Sequence, residues 1–159
     1  MMFQSRPVSL EDFNLICTFP RNEEETFFMS PRANYPLSVE QLMDLTKERC
    51  GQTVIMDEAG QVCGYANLYN VEEGSLCWLG SVIVSPDYRG KGAAEFLIRE
   101  MMSIAKDEFH VKEVHLVCHN PNTRGLMFYS RMGFKPYDVV KRTNSEGEII
   151  AGIPMKIGV

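Results

Sequence analysis

The chain has 159 residues, ordinary hydrophobic (45%) and charged (23%) fractions, and a formal net charge of −5, which suits one globular domain over 1–159 with a sizeable core. The negative balance argues against nucleic acid as a partner, so an anionic ligand must be held by local features. Five scattered cysteines (17, 50, 63, 77 and 118) without a Cys-x-x-Cys pair argue against a disulfide framework or a metal site and fit reduced, cytoplasmic thiols, and no leader or membrane-length apolar run is expected.

Taken in order, Phe3 to Val8 reads as an edge strand ended by Pro7. Ser9 offers a helix N-cap with Asp12 three residues on, followed by the stripe Leu10, Phe13, Ile16 and Cys17. The segment from Phe19 to Pro36 is rich in Pro, charge and aromatics and suggests a short helix between two loops. Ser38 and Gln41 form a capping-box pattern for a helix reaching about Arg49. Gln52–Met56 and Val62–Tyr69 are predicted strands joined by a turn at Asp57-Glu58-Ala59-Gly60. Ser75–Val84 is the next strand.

That strand is stopped by Pro86 and Asp87 and runs into Arg89-Gly90-Lys91-Gly92, after which Ala94, Leu97, Ile98, Met101, Ile104 and Ala105 repeat at helical spacing to about Phe109. A strand, a glycine loop and a helix N-terminus make an anion site: free N–H groups and the positive end of the helix dipole converge where no side chain intervenes. The Walker A pattern fails because Gly92, not Ser or Thr, follows Lys91; the dinucleotide fingerprint fails because Glu95 stands where its third glycine belongs. Val111–Cys118 is a further strand, Asn122–Met132 a helix stopped by Gly133, and Lys135-Pro136 opens two final strands turned at Asn144–Gly147. The order predicts an α/β chain with a mixed sheet.

Two stretches resemble the GCN5-related N-acetyltransferase family. Arg89-Gly90-Lys91-Gly92-Ala93-Ala94 matches its acetyl-coenzyme A loop, Arg/Gln-x-x-Gly-x-Gly/Ala, at every defined position. Asn122, Phe128, Tyr129, Gly133 and Phe134 match its following helix, with Gly125 where alanine is usual. The resemblance covers residues 52–157 well and the first 50 only in layout. It implies a mixed, mostly antiparallel sheet of about six or seven strands flanked by about four helices, with acetyl-coenzyme A as co-substrate and no metal.

By that resemblance, Val82, Ile83 and Val84 would splay from the strand around Cys118 and pair with the pantetheine arm, the Val84 N–H facing the thioester carbonyl. Backbone N–H groups of Arg89, Gly90, Lys91, Gly92, Ala93 and Ala94 would hold the pyrophosphate, and Asn122 would hydrogen-bond the coenzyme. Tyr129 would protonate the leaving thiolate, and His119 is the candidate base. A run of acidic residues such as Glu23-Glu24-Glu25 is ordinarily a solvated helix face. The family, however, places this segment beside the acceptor, so Glu24, Glu25 and Tyr35 become candidates for gripping a cationic amine.

N-terminal acetyltransferases of the ribosomal type carry a glutamate where this chain has Val117. The leading expectation is therefore acetyl transfer to a small-molecule primary amine, with a possible homodimer. A protein or peptide acetyltransferase and a non-catalytic coenzyme A sensor are the alternatives.

Overall fold

In the computed structural model, which describes residues 2–159, eight strands form one sheet in the order β1-β2-β3-β4-β5-β8-β6, with β7 also paired to β8. The strands are β1 Gln4–Pro7, β2 Cys50–Met56, β3 Val62–Glu72, β4 Leu76–Val84, β5 Glu113–His119, β6 Lys135–Pro136, β7 Val140–Thr143 and β8 Ile149–Gly158. Every recorded pairing is antiparallel except β4 with β5. The two-residue β6 is too short to announce itself by alternation and accounts for part of the difference from the expected strand count.

The helices are α1 Phe13–Ile16, α2 Glu23–Met29, α3 Val39–Thr46, α4 Ala93–Phe109 and α5 Thr123–Met132. None is long and apolar enough to cross a membrane. The expected capping at Ser9 and Asp12 forms, but it opens a 3-10 turn at Leu10–Asp12 before α1, and Leu10 is exposed. Ser38 Oγ accepts from the Gln41 N–H, whereas the Gln41 side chain turns to the Asn34 N–H and Pro36 carbonyl, so only half of that capping box exists.

The pleat sends successive side chains to opposite faces, and the core divides accordingly. Ile55, Ala66, Leu68 and Val84 meet Leu97, Ile98 and Met101 of α4 on one face, together with Phe134. Their neighbours Val54, Tyr65 and Ile83 meet Phe13, Ile16 and Leu42 of α1 and α3 on the other. Two helical layers thus fix the sheet from both sides, and all five cysteines are unpaired.

The pairing of β4 with β5 shapes the centre of the molecule. It is recorded only from Leu76–Trp78 against Glu113–His115, although β4 continues to Val84 and β5 to His119. A bulge explains the departure. Between Tyr65↔Ile83 and Asn67↔Gly80 the register slips, and Ser81 takes the left-handed backbone with φ 54°. The extra residue bends β4 and opens a wedge beside β5.

Candidate active site

The wedge is a cavity of about 480 Å³. Val82, Ile83 and Val84 border it from β4, Leu116 to His119 from β5, Asn122, Arg124 and Tyr129 from the α5 region, and Glu24, Glu25 and Phe28 from α2. Ser85 N–H donates to the Cys63 carbonyl on the β3 side at 2.8 Å. Successive N–H groups of a strand alternate between its two edges, so the Val84 N–H is turned to the opposite edge, toward the wedge. The Val84 carbonyl is already taken, by Arg89 Nε at 3.0 Å.

The loop after β4 is anchored before α4 begins. Tyr88 Oη donates to Asp57 Oδ2 at 2.6 Å, fastening it to the β2–β3 turn. Gly90 and Gly92 have φ of 77° and 86°, and a Cβ at either would meet nothing within 4 Å. The first-turn N–H groups of α4 therefore face open space, and no side chain caps the helix. Lys91 is exposed, with Nζ 5.9 Å from the Tyr88 ring centre. Glu95 is turned outward and pairs with Arg99 at 2.9 Å, leaving the helix terminus positive. The loop residues Gly90 to Ala94 do not border the cavity; Arg89 does, and joins the two regions.

Arg89 is more than a backbone element of the loop. Its Nη1 and Nη2 reach the two carboxylate oxygens of Glu25 at 2.9 and 3.1 Å, and Nη2 also donates to the Phe19 carbonyl at 3.3 Å. Arg21 grips Glu25 from the other side, through Nη2 at 2.9 Å and its own N–H at 2.9 Å. Burial would raise the Glu25 pKa, but hydrogen bonds from Arg89 and Arg21 outweigh it and hold the group at about 2.

This corrects the expectation for the acidic segment. Glu25 borders the cavity, yet its carboxylate is occupied as a structural clamp between α2 and the loop, and only Glu24 keeps the assigned freedom. Tyr35 is 47% exposed and lies outside the cavity lining.

Asn122 caps α5: its Oδ1 accepts the Gly125 N–H at 3.0 Å, and a Cβ at Gly125 would collide with the Asn122 amide. The departure from alanine thus makes room for the cap, and Asn122 meets the cavity with its amide partly committed. Tyr129 reaches the cavity from the next turns, braced edge-on by Phe134 with ring centres 5.7 Å apart. Burial, and then proximity to Cys118, raise its pKa far above the ordinary tyrosine value, so the hydroxyl keeps its proton at neutral pH.

His119 is 4% exposed and packs against Phe27, ring centres 4.7 Å apart, and Phe28. Its Nε2 is buried without a hydrogen-bond partner. Burial first, and the positive charge of Arg142 second, lower its pKa below 6.5, so the ring is neutral at pH 7. A neutral imidazole and a protonated phenol on one cavity form a proton acceptor and a proton donor.

The motifs did not single out Arg49, Tyr69 and Arg142, which close the cavity's other end. Arg49 was visible only as a helix terminus, Tyr69 as the end of a strand, and Arg142 as part of an exposed hairpin.

The clamp generates a stability prediction. Glu25 has a depressed folded pKa, so its contribution is complete above pH 4.5 and declines as pH falls from there toward about 2. Glu25→Gln should lose about 1–3 kcal/mol at pH 7, and urea midpoints should show that gap narrowing at pH 3. An equal gap at both pH values would mean that charge does not hold the clamp.

Comparison with known proteins agrees with this geometry. Residues 15–134 match the model of the acetyltransferase (GNAT) family. An N-alpha-acetyltransferase of Saccharolobus solfataricus is 29% identical over 68 residues, 43% of this chain and 41% of that protein. An uncharacterized N-acetyltransferase of Methanocaldococcus jannaschii is 32% identical over 72 residues, 45% of this chain and 31% of the relative. These matches span less than half of the curated relatives' lengths.

Solved structures share the whole fold at low identity. The spermidine N-acetyltransferase of Vibrio cholerae in complex with CoA and spermine has a TM-score of 0.79 at 18% identity, covering 98% of this chain and 95% of that one. A GNAT-family acetyltransferase of Bacillus anthracis has a TM-score of 0.79 at 12% identity, covering 99% and 95%. Because that family's model matches residues 15–134, about three quarters of the chain, the chain belongs to the acetyltransferase (GNAT) family.

Proposed function

We propose that this protein moves an acetyl group from acetyl-coenzyme A to the primary amine of a small molecule. The observation that carries the reading is convergence: the Val84 N–H edge, the unpartnered His119 and the protonated Tyr129 all border one wedge opened by the β4 bulge. Free strand edges of β4 and β5 suit the amide groups of a pantetheine arm, and the open N–H groups around Gly90–Ala94 suit a pyrophosphate. A protein of the same fold holds CoA and spermine, which supports pairing a coenzyme with an amine.

Each residue then has a task. The backbone of Val82–Val84 orients the arm, and the Val84 N–H donates to the carbonyl oxygen as negative charge grows there. The imidazole of His119, a residue that borders the cavity, accepts a proton from the amine. A free alkylamine has a pKa of about 10 and is protonated at neutral pH, and an ammonium has no lone pair with which to attack. As the nitrogen–acyl bond forms, the carbon–sulfur bond breaks, and Tyr129 Oη gives its proton to the departing sulfur.

Phe28, Met29, Ser30 and Pro31 line the acceptor end of the cavity, in keeping with a small acceptor. The partial likeness to an N-alpha-acetyltransferase favours a second reading, a peptide N-terminus. Assaying peptides beside free amines separates the two.

Coenzyme A should raise the melting temperature by linkage. Gly92→Glu pairs a left-handed backbone with a negative charge; it should cost about 1 kcal/mol in the free protein and abolish the coenzyme-induced shift. Equal shifts in both proteins would remove the loop from the binding site.

Tyr129→Phe deletes only the hydroxyl. It should lower kcat roughly 10- to 1,000-fold with coenzyme A affinity nearly unchanged; a kcat within about twofold of wild type would leave the tyrosine a packing role. His119→Gln should flatten the acid limb of kcat/KM, which in the wild type falls as pH drops through the lowered histidine pKa, below 6.5. A limb that survives the substitution would assign the base elsewhere.

A further inference from the structure

The acidic segment was expected to make the acceptor pocket attractive to cations, but the charges facing the cavity say otherwise. Four arginines line it, Arg49, Arg89, Arg124 and Arg142, against two glutamates, Glu24 and Glu25. Glu25 is consumed by Arg89 and Arg21. Glu24 alone is left to face Arg49, Arg124 and Arg142, and none of these three has a carboxylate partner among the described residues. A locally positive pocket in a chain of net charge −5 stands against the global balance.

The Arg49 end is also built. Arg49 lies over the Tyr69 ring, its guanidinium carbon 4.0 Å from the centre. Its Nη1 donates to Asn67 Oδ1 at 2.9 Å. Asn67, 0% exposed, donates through Nδ2 to Tyr65 Oη at 3.0 Å, which donates to Gln52 Oε1 at 2.6 Å. That chain of bonds fixes the guanidinium plane while leaving its other donors without protein partners among the described residues. Gly80 makes the arrangement possible, because a Cβ there would collide with Arg49 Nη1 and the Tyr69 ring.

Arg142, on the β7 hairpin strand, lies near enough to act electrostatically on both Tyr69 and His119. Arg32 acts likewise on Arg49 from an adjoining recess. In that recess Asp44 pairs with Lys47, and Glu48 makes no ion pair among the described residues. Gathering cations with no carboxylate paired to them is unfavourable, and a ligand anion would offset it.

We infer that the acceptor is an amino-acid-like zwitterion whose carboxylate docks at Arg49 and Arg142 while its amine reaches the wedge between Val84 and His119. The inference rests on the acetyltransferase reading and narrows its acceptor. A guanidinium fork matches a carboxylate with two parallel hydrogen bonds, and the Tyr69 ring keeps the Arg49 fork flat. Arg124, two residues from Asn122 in the chain, is not assigned to the acceptor. The pyrophosphate has its own N–H groups at Gly90–Ala94, so the Arg49–Tyr69–Arg142 corner is not needed for it.

The test is thiol release from acetyl-coenzyme A with the common free L-amino acids, the same amino acids as carboxamides, and spermidine. The best free amino acid should exceed its carboxamide, and exceed spermidine, by about tenfold or more in kcat/KM. Arg49→Gln and Arg142→Gln should each raise KM for that amino acid roughly 10- to 100-fold, erase much of the discrimination against the amide, and leave KM for acetyl-coenzyme A within about twofold. Arg142 is exposed, so its substitution keeps the test open if Arg49→Gln does not fold. Gly80→Ala, which displaces the guanidinium without removing a charge, should act in the same direction.

Carboxamides or spermidine turned over as well as free amino acids would overturn the inference while leaving the acetyltransferase reading intact. An equal rise in KM for acetyl-coenzyme A would also overturn it, assigning the guanidinium groups to coenzyme phosphates. Absence of turnover with every amine would remove both.

Discussion

The site depends on one interrupted ladder. If β4 and β5 stayed paired to their ends, Val82–Val84 and Val117–His119 would satisfy each other and leave no cavity. The bulge at Ser81 prevents this by turning one residue into a backbone region that a non-glycine side chain seldom adopts. The cost is local. The return is a pair of strand edges that, apart from the Val84 carbonyl taken by Arg89, have no recorded ladder pairing with each other. An unpaired edge is ordinarily a hazard for aggregation; here it lies inside the molecule, between α2 and α5, where a ligand rather than another chain can complete it.

The second constraint is the Glu25–Arg89 clamp. Arg89 bonds to the end of β4 through the Val84 carbonyl, to Glu25 on α2 and to the Phe19 carbonyl. One side chain therefore ties the glycine loop, the end of β4 and α2 into a single piece. Charge pairing in this partly buried setting is directional, since both carboxylate oxygens meet the planar fork. It also neutralises Glu25, so the arginines outweigh the one free carboxylate, Glu24, that lines the pocket.

How much of the molecule was legible in the sequence depends on how local each cause is. The loop and the α5 motif were readable because their work is done by backbone groups, glycine and caps, all set by neighbours in sequence: Gly92 before α4, Asn122 before α5, Gly133 after it. Strand and helix positions came from periodicity for the same reason, with errors where elements were very short, as at β6 and the 3-10 turn before α1. The clamp joins residues 64 apart, and no periodicity encodes such a pair. Read alone, Glu25 was one of three similar carboxylates and Arg89 one member of a motif. Arg49, Tyr69 and Gly80 come together only through the register of β3 against β4, which the bulge shifts. Tyr35 failed for the converse reason: closeness in sequence to the acceptor segment does not carry a side chain into the cavity.

The positive corner and the proton chemistry are linked. Arg142 helps keep His119 neutral, and the same guanidinium groups oppose an incoming ammonium, favouring loss of its proton on entry. A simple cation would meet that repulsion with Glu24 as the one unpaired carboxylate among the described lining residues to offset it. A zwitterion brings its own anion, so the carboxylate is attracted at Arg49 while the amine is pushed toward its neutral form beside His119. Recognition and deprotonation then draw on one set of charges. Desolvation within the wedge acts in the same sense on both proton carriers, keeping the imidazole unprotonated and the phenol protonated. On the proposed reading, burial beside the cavity would hold Tyr129 as the proton donor and His119 as the proton acceptor in the protonation states that transfer requires.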